Sequence, residues 1–382
     1  MYSLAGYGQM IADQGRMNTY IRALQKVMKP GAIVVDIGTG PGIFALLACQ
    51  MGAGRVYGID PSDTVQVGRE LAIANGYGDR ITWIQDISTR VTLPEQADVI
   101  LSDLRGLLPL FQNHLPTLMD ARKRFLAPGG TLIPQQDQLW AVVVEAPQLY
   151  SKMVDPWRQK PYDLDMTATG QILTNTFIKG RVTSYQLLTE PQQWAVLDYT
   201  QLEAVNYGAT LSWQVQKAGV GHGLILWFDT LLIEDVGFSN APDLPELIYG
   251  QAFFPWSNPV ALKEGDQITV DLQANLIDGD YVWRWKTQVQ AEDKATALKA
   301  TFNQSTFLGA SLSIAQLRKA ASHYTPSLNA QKQLEVMALS LMDGQTSIAT
   351  IATHLFDQFP QTFSSDQAAL SFVSQLSQRY SQ

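Results

Sequence analysis

The sequence predicts an α/β fold: a parallel, doubly wound sheet, then a β-barrel, then a small all-helical domain. Three observations carry this. Between residues 31 and 135 short β-rich runs alternate with helical ones, which is the signature of βαβ units and a parallel sheet with helices on both faces. After Pro134 the alternation stops and strand-like runs follow one another across short turns. From about residue 300 helical periodicity takes over, with Ser or Asp at several candidate N-caps. The expected boundaries are 1–30 for N-terminal helices, 31–135 for the parallel-sheet domain, 136–300 for the barrel and 301–382 for the helical domain.

Taken in order, "QMIADQGRMNTYIRALQKVM" puts Met10, Met17, Ile21, Leu24 and Met28 at helical spacing. "AIVVDIG" is a strand that ends in glycines, and "IFALLACQMGA" is a helix stopped at Gly52. "RVYGID" is the second strand, and "TVQVGRELAIANG" is a helix with Gly76 just past its end. "ITWIQD", "ADVILSD" and "GGTLIP" supply three further strands. The barrel runs are "LWAVVVEA", "TNTFIKGRVTSY", "WAVLDY", "ATLSWQVQ", "LILWFDTLLI", "AFFPW", "QITVDLQANL" and "VWRWKTQVQ". The helical runs are "SIAQLRKAASHY", "LNAQKQLEVMALSLMDG", "SIATIATHLFDQF" and "SDQAALSFVSQLSQRY".

Composition limits the function classes. The 382 residues carry a formal net charge of -8, so a nucleic-acid partner, which needs a basic face, is not expected. The single cysteine, Cys49, lies in an apolar helical run and is expected in the core, and no intrachain disulfide can form. No apolar run approaches the ~18 residues of a membrane span, and the N-terminus lacks a signal-peptide core. The expectation is a cytoplasmic enzyme without a structural metal, since no Cys/His cluster is present.

The candidate ligand site is the carboxyl edge of the sheet. In "VVDIGTGPG", which contains Asp36, the glycines Gly38, Gly40 and Gly42 let the backbone turn tightly and approach a ligand. Asp60 ends the second strand, followed by Pro61, where a carboxylate can accept two ribose hydroxyls. Asp86 and Ile87 end the third strand, suited to an adenine amino group and ring face. Asp103 ends the fourth. A GxGxG turn alone also fits a nicotinamide dinucleotide, so that alternative stays open on the residues.

The order of these residues resembles class I S-adenosylmethionine methyltransferases, with a Rossmann-like sheet. That implies S-adenosylmethionine as cofactor and S-adenosylhomocysteine as product. "GYGQMIADQGRMNTYIRAL" narrows the resemblance to the protein arginine methyltransferase family, whose N-terminal helix carries a Met, then an Asp and an Arg three residues apart. Here these are Met10, Asp13 and Arg16. Spacing of three puts Asp13 and Arg16 on one helical face. The family's Arg binds the cofactor carboxylate, a role the resemblance passes to Arg16. "HGLILWFDTLL" resembles the family's barrel strand ending in Trp-Phe-Asp.

Two departures concern the acceptor. The family holds a substrate guanidinium with two glutamates nine residues apart. This chain has Asp103 and Gln112 there, and gains Arg105. The family's Thr-His-Trp loop falls on Leu247, Ile248 and Tyr249, so its His is absent. Losing one carboxylate at ~4 Å from a cation costs roughly 4 kcal/mol at an effective dielectric of 20. The expected reaction is therefore methyl transfer to a nitrogen or oxygen of a peptide or specialised metabolite other than ordinary protein arginine. Peptidyl-arginine N-methylation and a silent cofactor-binding regulatory protein are the alternatives. Asp103, Asp13 and His114 are the candidate bases, and Asp103, Arg105, Gln112 and Tyr249 the candidate acceptor-binding residues.

The pattern "MDG…SI…IA…L…F" in the last domain resembles small winged-helix peptide-recognition domains of modified-peptide (natural product) biosynthesis, and a helical packing or dimerisation appendage is the other reading. "WRQKPYDLDMTATG" falls where the family's dimerisation arm would be, so a homodimer is expected on the resemblance.

Overall fold

The computed structural model describes residues 3–292, 298–311 and 313–381. It divides into two compact units, Met1–Ala310 and Ser311–Gln382.

The first unit opens with two helices, α1 (Leu4–Ala12) and α2 (Gln14–Val27). The break has a local cause. Asp13 accepts the Arg16 backbone N–H at 3.0 Å and so caps a new helix. Asp13 and Arg16 were expected side by side on one face; instead the Asp13 carboxylate serves the Arg16 backbone. The buried face of α2 runs through Met17, Tyr20, Ala23 and Leu24, with Ile21 only half-buried.

The parallel sheet follows as expected: β1 (Ile33–Ile37), β2 (Arg55–Ile59), β3 (Ile81–Ile84), β4 (Ala97–Ser102) and β5 (Leu126–Ile133), in the order β3-β2-β1-β4-β5. Every neighbouring pair is parallel. Helices α3 (Ile43–Gln50), α4 (Thr64–Ala74) and α5 (His114–Arg124) connect the strands. Buried Val34, Val56 and Val99 pack with Ala45, Ala48 and Cys49, which confirms Cys49 as core. Each fully buried aliphatic side chain of this kind is worth roughly 1.5–3 kcal/mol. The strand order reverses between β1 and β4, so the crevice beyond their carboxyl ends is where a ligand fits.

Next come β6 (Gln136–Val144), α6 (Pro147–Arg158), α7 (Thr167–Leu173), β7 (Ile178–Gly180), β8 (Gln192–Asp198), β9 (Tyr207–Gln214), β10 (Gly219–Ile233), β11 (Val236–Ser239), β12 (Gln251–Leu262), β13 (Gln267–Ile277), β14 (Asp280–Gln290) and β15 (Leu298–Ser305). They form two antiparallel sheets, β7-β12-β10-β6-β8 with β11 paired to β10, and β15-β14-β13-β9. Trp256, Trp283, Trp285 and Phe254 fill the core between them, which gives the barrel-like domain predicted. The expected strand over "TNTFIKGRVTSY" shrinks to three residues, because the chain turns into a one-turn 3₁₀ helix at Ser184–Gln186 closed by a Thr183–Gln186 capping box.

The expected boundary at 301 falls inside β15, which pairs with β14 from Arg284↔Ser305 to Gln290↔Leu298. The first unit therefore runs on to residue 310. The second unit holds α8 (Ile314–Ala320), α9 (Ala330–Ser340), α10 (Ile348–Gln358) and α11 (Asp366–Tyr380). Ser313, Asn329, Ser347 and Ser365 cap them, each side chain accepting a first-turn N–H. Its own core contains Leu334, Ile351, Leu355, Val373 and Leu376. No helix among the described residues is long and apolar enough to cross a membrane.

Candidate active site

The turn after β1 has the geometry a ligand-facing loop needs. Gly38, Gly40 and Gly42 have φ of +73°, +52° and +87°, the left-handed region that glycine enters without a Cβ penalty. A Cβ on Gly40 would lie 2.5 Å from the Tyr7 ring, so α1 lies directly over the turn. Asp36 is buried and accepts from Thr39 Oγ1 at 2.6 Å and from Ala45 N at 3.2 Å. It holds the turn from within. Burial pushes its carboxyl up to about 7, against the pull of those two hydrogen bonds.

Asp60 accepts Gly40 N at 3.0 Å on one oxygen and Ser62 N at 2.8 Å on the other. Each oxygen keeps a second lone pair for a ribose hydroxyl. Pro61 beside it is exposed. Asp86 is half-buried, with Arg90 3.9 Å away, and Ile87 is exposed on the same edge. A glycine turn, a carboxylate with spare lone pairs and an exposed apolar side chain on one crevice suit an adenosyl group.

Beyond the turn lies a cluster of buried charges. Arg16 donates to Asp103 Oδ2 through Nε at 2.8 Å and Nη2 at 2.6 Å, and through Nη1 to Met10 O at 3.3 Å. Tyr249 donates its hydroxyl to the same Oδ2 at 2.6 Å. Asp13 accepts Ile248 N at 2.7 Å, which fixes the loop that carries Tyr249. Arg105 Nε donates to Asp103 Oδ1 at 3.0 Å. Its Nη1 donates to Asp137 at 3.0 Å and Thr230 at 2.6 Å, and its Nη2 to the Tyr20 hydroxyl. The rings of Phe228, Phe238 and Tyr249 surround it at 5.4–5.5 Å.

The elements explain this cage. α2 brings Arg16 and Tyr20, the end of β4 brings Asp103, and the start of β6 brings Asp137. The far end of the long strand β10 brings Phe228 and Thr230, and β11 brings Phe238. Burial alone would raise the Asp103 carboxyl, but the charges of Arg16 and Arg105 and the Tyr249 hydroxyl bring it down to about 2.

Of the expected acceptor-binding residues, Asp103, Arg105 and Tyr249 meet in one cluster. Gln112 is exposed at φ +43° and takes no part in the hydrogen bonds around Asp103. Of the candidate bases, Asp13 has an oxygen on each of two backbone N–H groups, and Asp103 is the hub of the ion pairs. His114 is not on an open loop: it begins α5, is 1% exposed and meets the Tyr199 ring edge-on. Burial, with the Arg105 charge, lowers it to about 3, which favours the neutral ring at ordinary pH. Asp137, Tyr20 and Thr230 were missed. Asp137 had a signal, as an acid at an inward position of a strand whose other inward positions are apolar. Among the described residues no cluster suits a metal ion.

A class I methyltransferase fold, with its glycine turn and acidic strand ends, is what this geometry defines. Comparison with known proteins specifies it further. Residues 17–135 match the family of ribosomal protein L11 methyltransferase, and residues 135–290 match the arginine methyltransferase oligomerization subdomain. "Probable protein arginine N-methyltransferase 6" of Arabidopsis thaliana is 30% identical over 243 residues, 61% of this chain and 55% of that protein. "Protein arginine N-methyltransferase 8-B" of Danio rerio is 28% identical over 268 residues, 68% of this chain and 64% of that protein. The chain thus spans little more than half the length of the first of these relatives. Among solved structures, the Trypanosoma brucei PRMT1 enzyme-prozyme complex with AdoHcy superposes with a TM-score of 0.70 at 22% identity, covering 78% of this chain and 96% of that one. Protein arginine methyltransferase 10 of Arabidopsis thaliana gives 0.68 at 21%, covering 79% and 97%. The chain is a class I methyltransferase-fold protein that resembles the protein arginine methyltransferase family, and it carries a further helical unit.

Proposed function

We propose that this chain is an S-adenosylmethionine-dependent methyltransferase whose acceptor is a nitrogen of a peptide-borne arginine. The observation that carries the reading is the Arg16–Asp103–Tyr249 unit beyond the glycine turn, in a chain whose relatives are named arginine methyltransferases. Those names favour arginine over the other nitrogen or oxygen acceptors expected from the sequence. When bound, the cofactor supplies an electrophilic methyl on a sulfonium. Asp60 would hold the ribose, Asp86 and Ile87 the adenine, and Arg16 the carboxylate. The chain's own contribution is placement of donor and acceptor, since an in-line displacement gains most from orientation.

A second reading is a silent cofactor-binding subunit. One observation favours it: Asp103 is already paired with two cations of the chain itself, and Gln112 brings no second charge. The T. brucei PRMT1 structure is an enzyme–prozyme complex. Calorimetry with S-adenosylmethionine and with NAD tests the cofactor. Mass spectrometry of an arginine-rich peptide library after incubation tests the acceptor. Cofactor binding without transfer selects the silent subunit, and NAD binding in its place overturns both.

A further inference from the structure

Arg105 is the feature of this site that the proposed transfer does not use. It is a guanidinium supplied by the chain, fully enclosed, with donors on Asp103, Asp137, Thr230 and Tyr20 and three aromatic rings around it. An acid, phenol hydroxyls and aromatic faces are the chemistry that recognises an arginine side chain. We infer that Arg105 is a built-in competitor for the acceptor guanidinium and determines the acceptor specificity of the site by occupying Asp103 from the inside. This rests on the arginine reading above.

The charge count explains how. Arg16 and Arg105 bring two positive charges, and Asp103 and Asp137 two negative ones, all enclosed. The cluster is already neutral. An arriving guanidinium would add a third cation to one carboxylate that two cations already share, in a region where screening is weak. A conventional pair of carboxylates would invite that cation. This cluster discourages it, so an arginine acceptor binds weakly until Arg105 leaves Asp103 or is removed.

Asp137 is the partner that keeps Arg105 in place. It accepts from Arg105, from Thr230 at 2.5 Å and from Tyr199 at 2.5 Å. Removing Arg105 alone strands a buried carboxylate, so the informative variant changes both charges: Arg105→Met with Asp137→Asn. Arg105→Lys is the control that keeps a cation on Asp103 without the planar fork.

The test is calorimetric binding of an arginine-containing peptide to the full chain saturated with S-adenosylhomocysteine. The double variant is expected to bind the peptide tenfold or more tighter than wild type, with Arg105→Lys close to wild type. A peptide with citrulline in place of arginine, neutral at the same position, is expected to show no such gain. Unchanged or weaker arginine binding by a double variant that still binds S-adenosylhomocysteine overturns the inference. So does an equal gain for the citrulline peptide. Methyl transfer is scored separately. Tighter binding without methylated arginine in any variant leaves Arg105 as the competitor and removes the arginine reading.

Discussion

Asp103 and Arg16 share two donor contacts on one carboxylate oxygen, at 2.6 and 2.8 Å, while Arg105 takes the other oxygen at 3.0 Å. One acid thus closes α2 onto the end of β4 and fixes a loop charge at the same time. Removing it leaves two enclosed guanidiniums without their shared partner. Asp103→Ala is expected to cost roughly 3–5 kcal/mol, the range for breaking a buried ion pair from one side. Urea unfolding of the variant measures it, and a loss under about 1 kcal/mol would show the cluster to be solvated and not enclosed.

Gly40 gives a cofactor-specific prediction. Its φ of +52° and the Tyr7 ring 2.5 Å from a would-be Cβ make Gly40→Ala strained and force α1 off the turn. Cofactor affinity is expected to fall at least tenfold. Gly76→Ala is the control: φ is +74° but nothing lies within 4 Å, so about 1 kcal/mol of stability is lost and cofactor binding stays. Titration calorimetry on both variants separates backbone strain from the covering of the turn.

Two of the groups behind the acid limb of stability, Asp103 and His114, have defined windows. Asp103 is held at about 2 against an ordinary 3.8, so its ionised form stabilises the fold above 3.8, and that stabilisation is lost as pH falls toward 2. His114 is held at about 3 against 6.5, so the fold favours the neutral ring. Below 6.5 the unfolded chain takes up the proton first, and stability declines until about pH 3. His114→Phe is expected to flatten the decline between 6.5 and about 3, an effect on the order of a few kcal/mol at its full extent. Denaturant titrations at a series of pH values read it, and unchanged curvature would mean His114 is not neutral in the fold.

The sheet was readable because five β-rich runs each end in a polar turn, and periodicity reports that locally. The barrel was readable as a class, but not the lengths of β7 and β10, because a strand's extent depends on partners far along the chain. Arg105 shows the limit most plainly. As a sequence it is a charge in a loop. What encloses it comes from Tyr20, Asp137, Thr230 and Phe238, which only the tertiary fold gathers. The burial of His114 is hidden for the same reason: α5 begins there and turns it toward Tyr199.

The domain boundary is open to a direct trial. A chain ending after Ala310 keeps β15 whole and is expected to melt and bind cofactor like the full chain. Ending it after Ala300 removes most of β15 from β14 and is expected to destabilise the barrel. Residues 311–382, with their own buried core, are expected to show helical circular dichroism alone. Equal stability of the two truncations would place the boundary at 300 after all.

Methyl transfer to peptidyl arginine can be read directly from the position of a transferred label. The full chain is incubated with methyl-labelled S-adenosylmethionine and arginine-containing peptides, and the label is located by fragmentation mass spectrometry. Label is expected on arginine side-chain nitrogen with matching formation of S-adenosylhomocysteine. Bound cofactor with no labelled arginine in any peptide, or label confined to other residues, would contradict it.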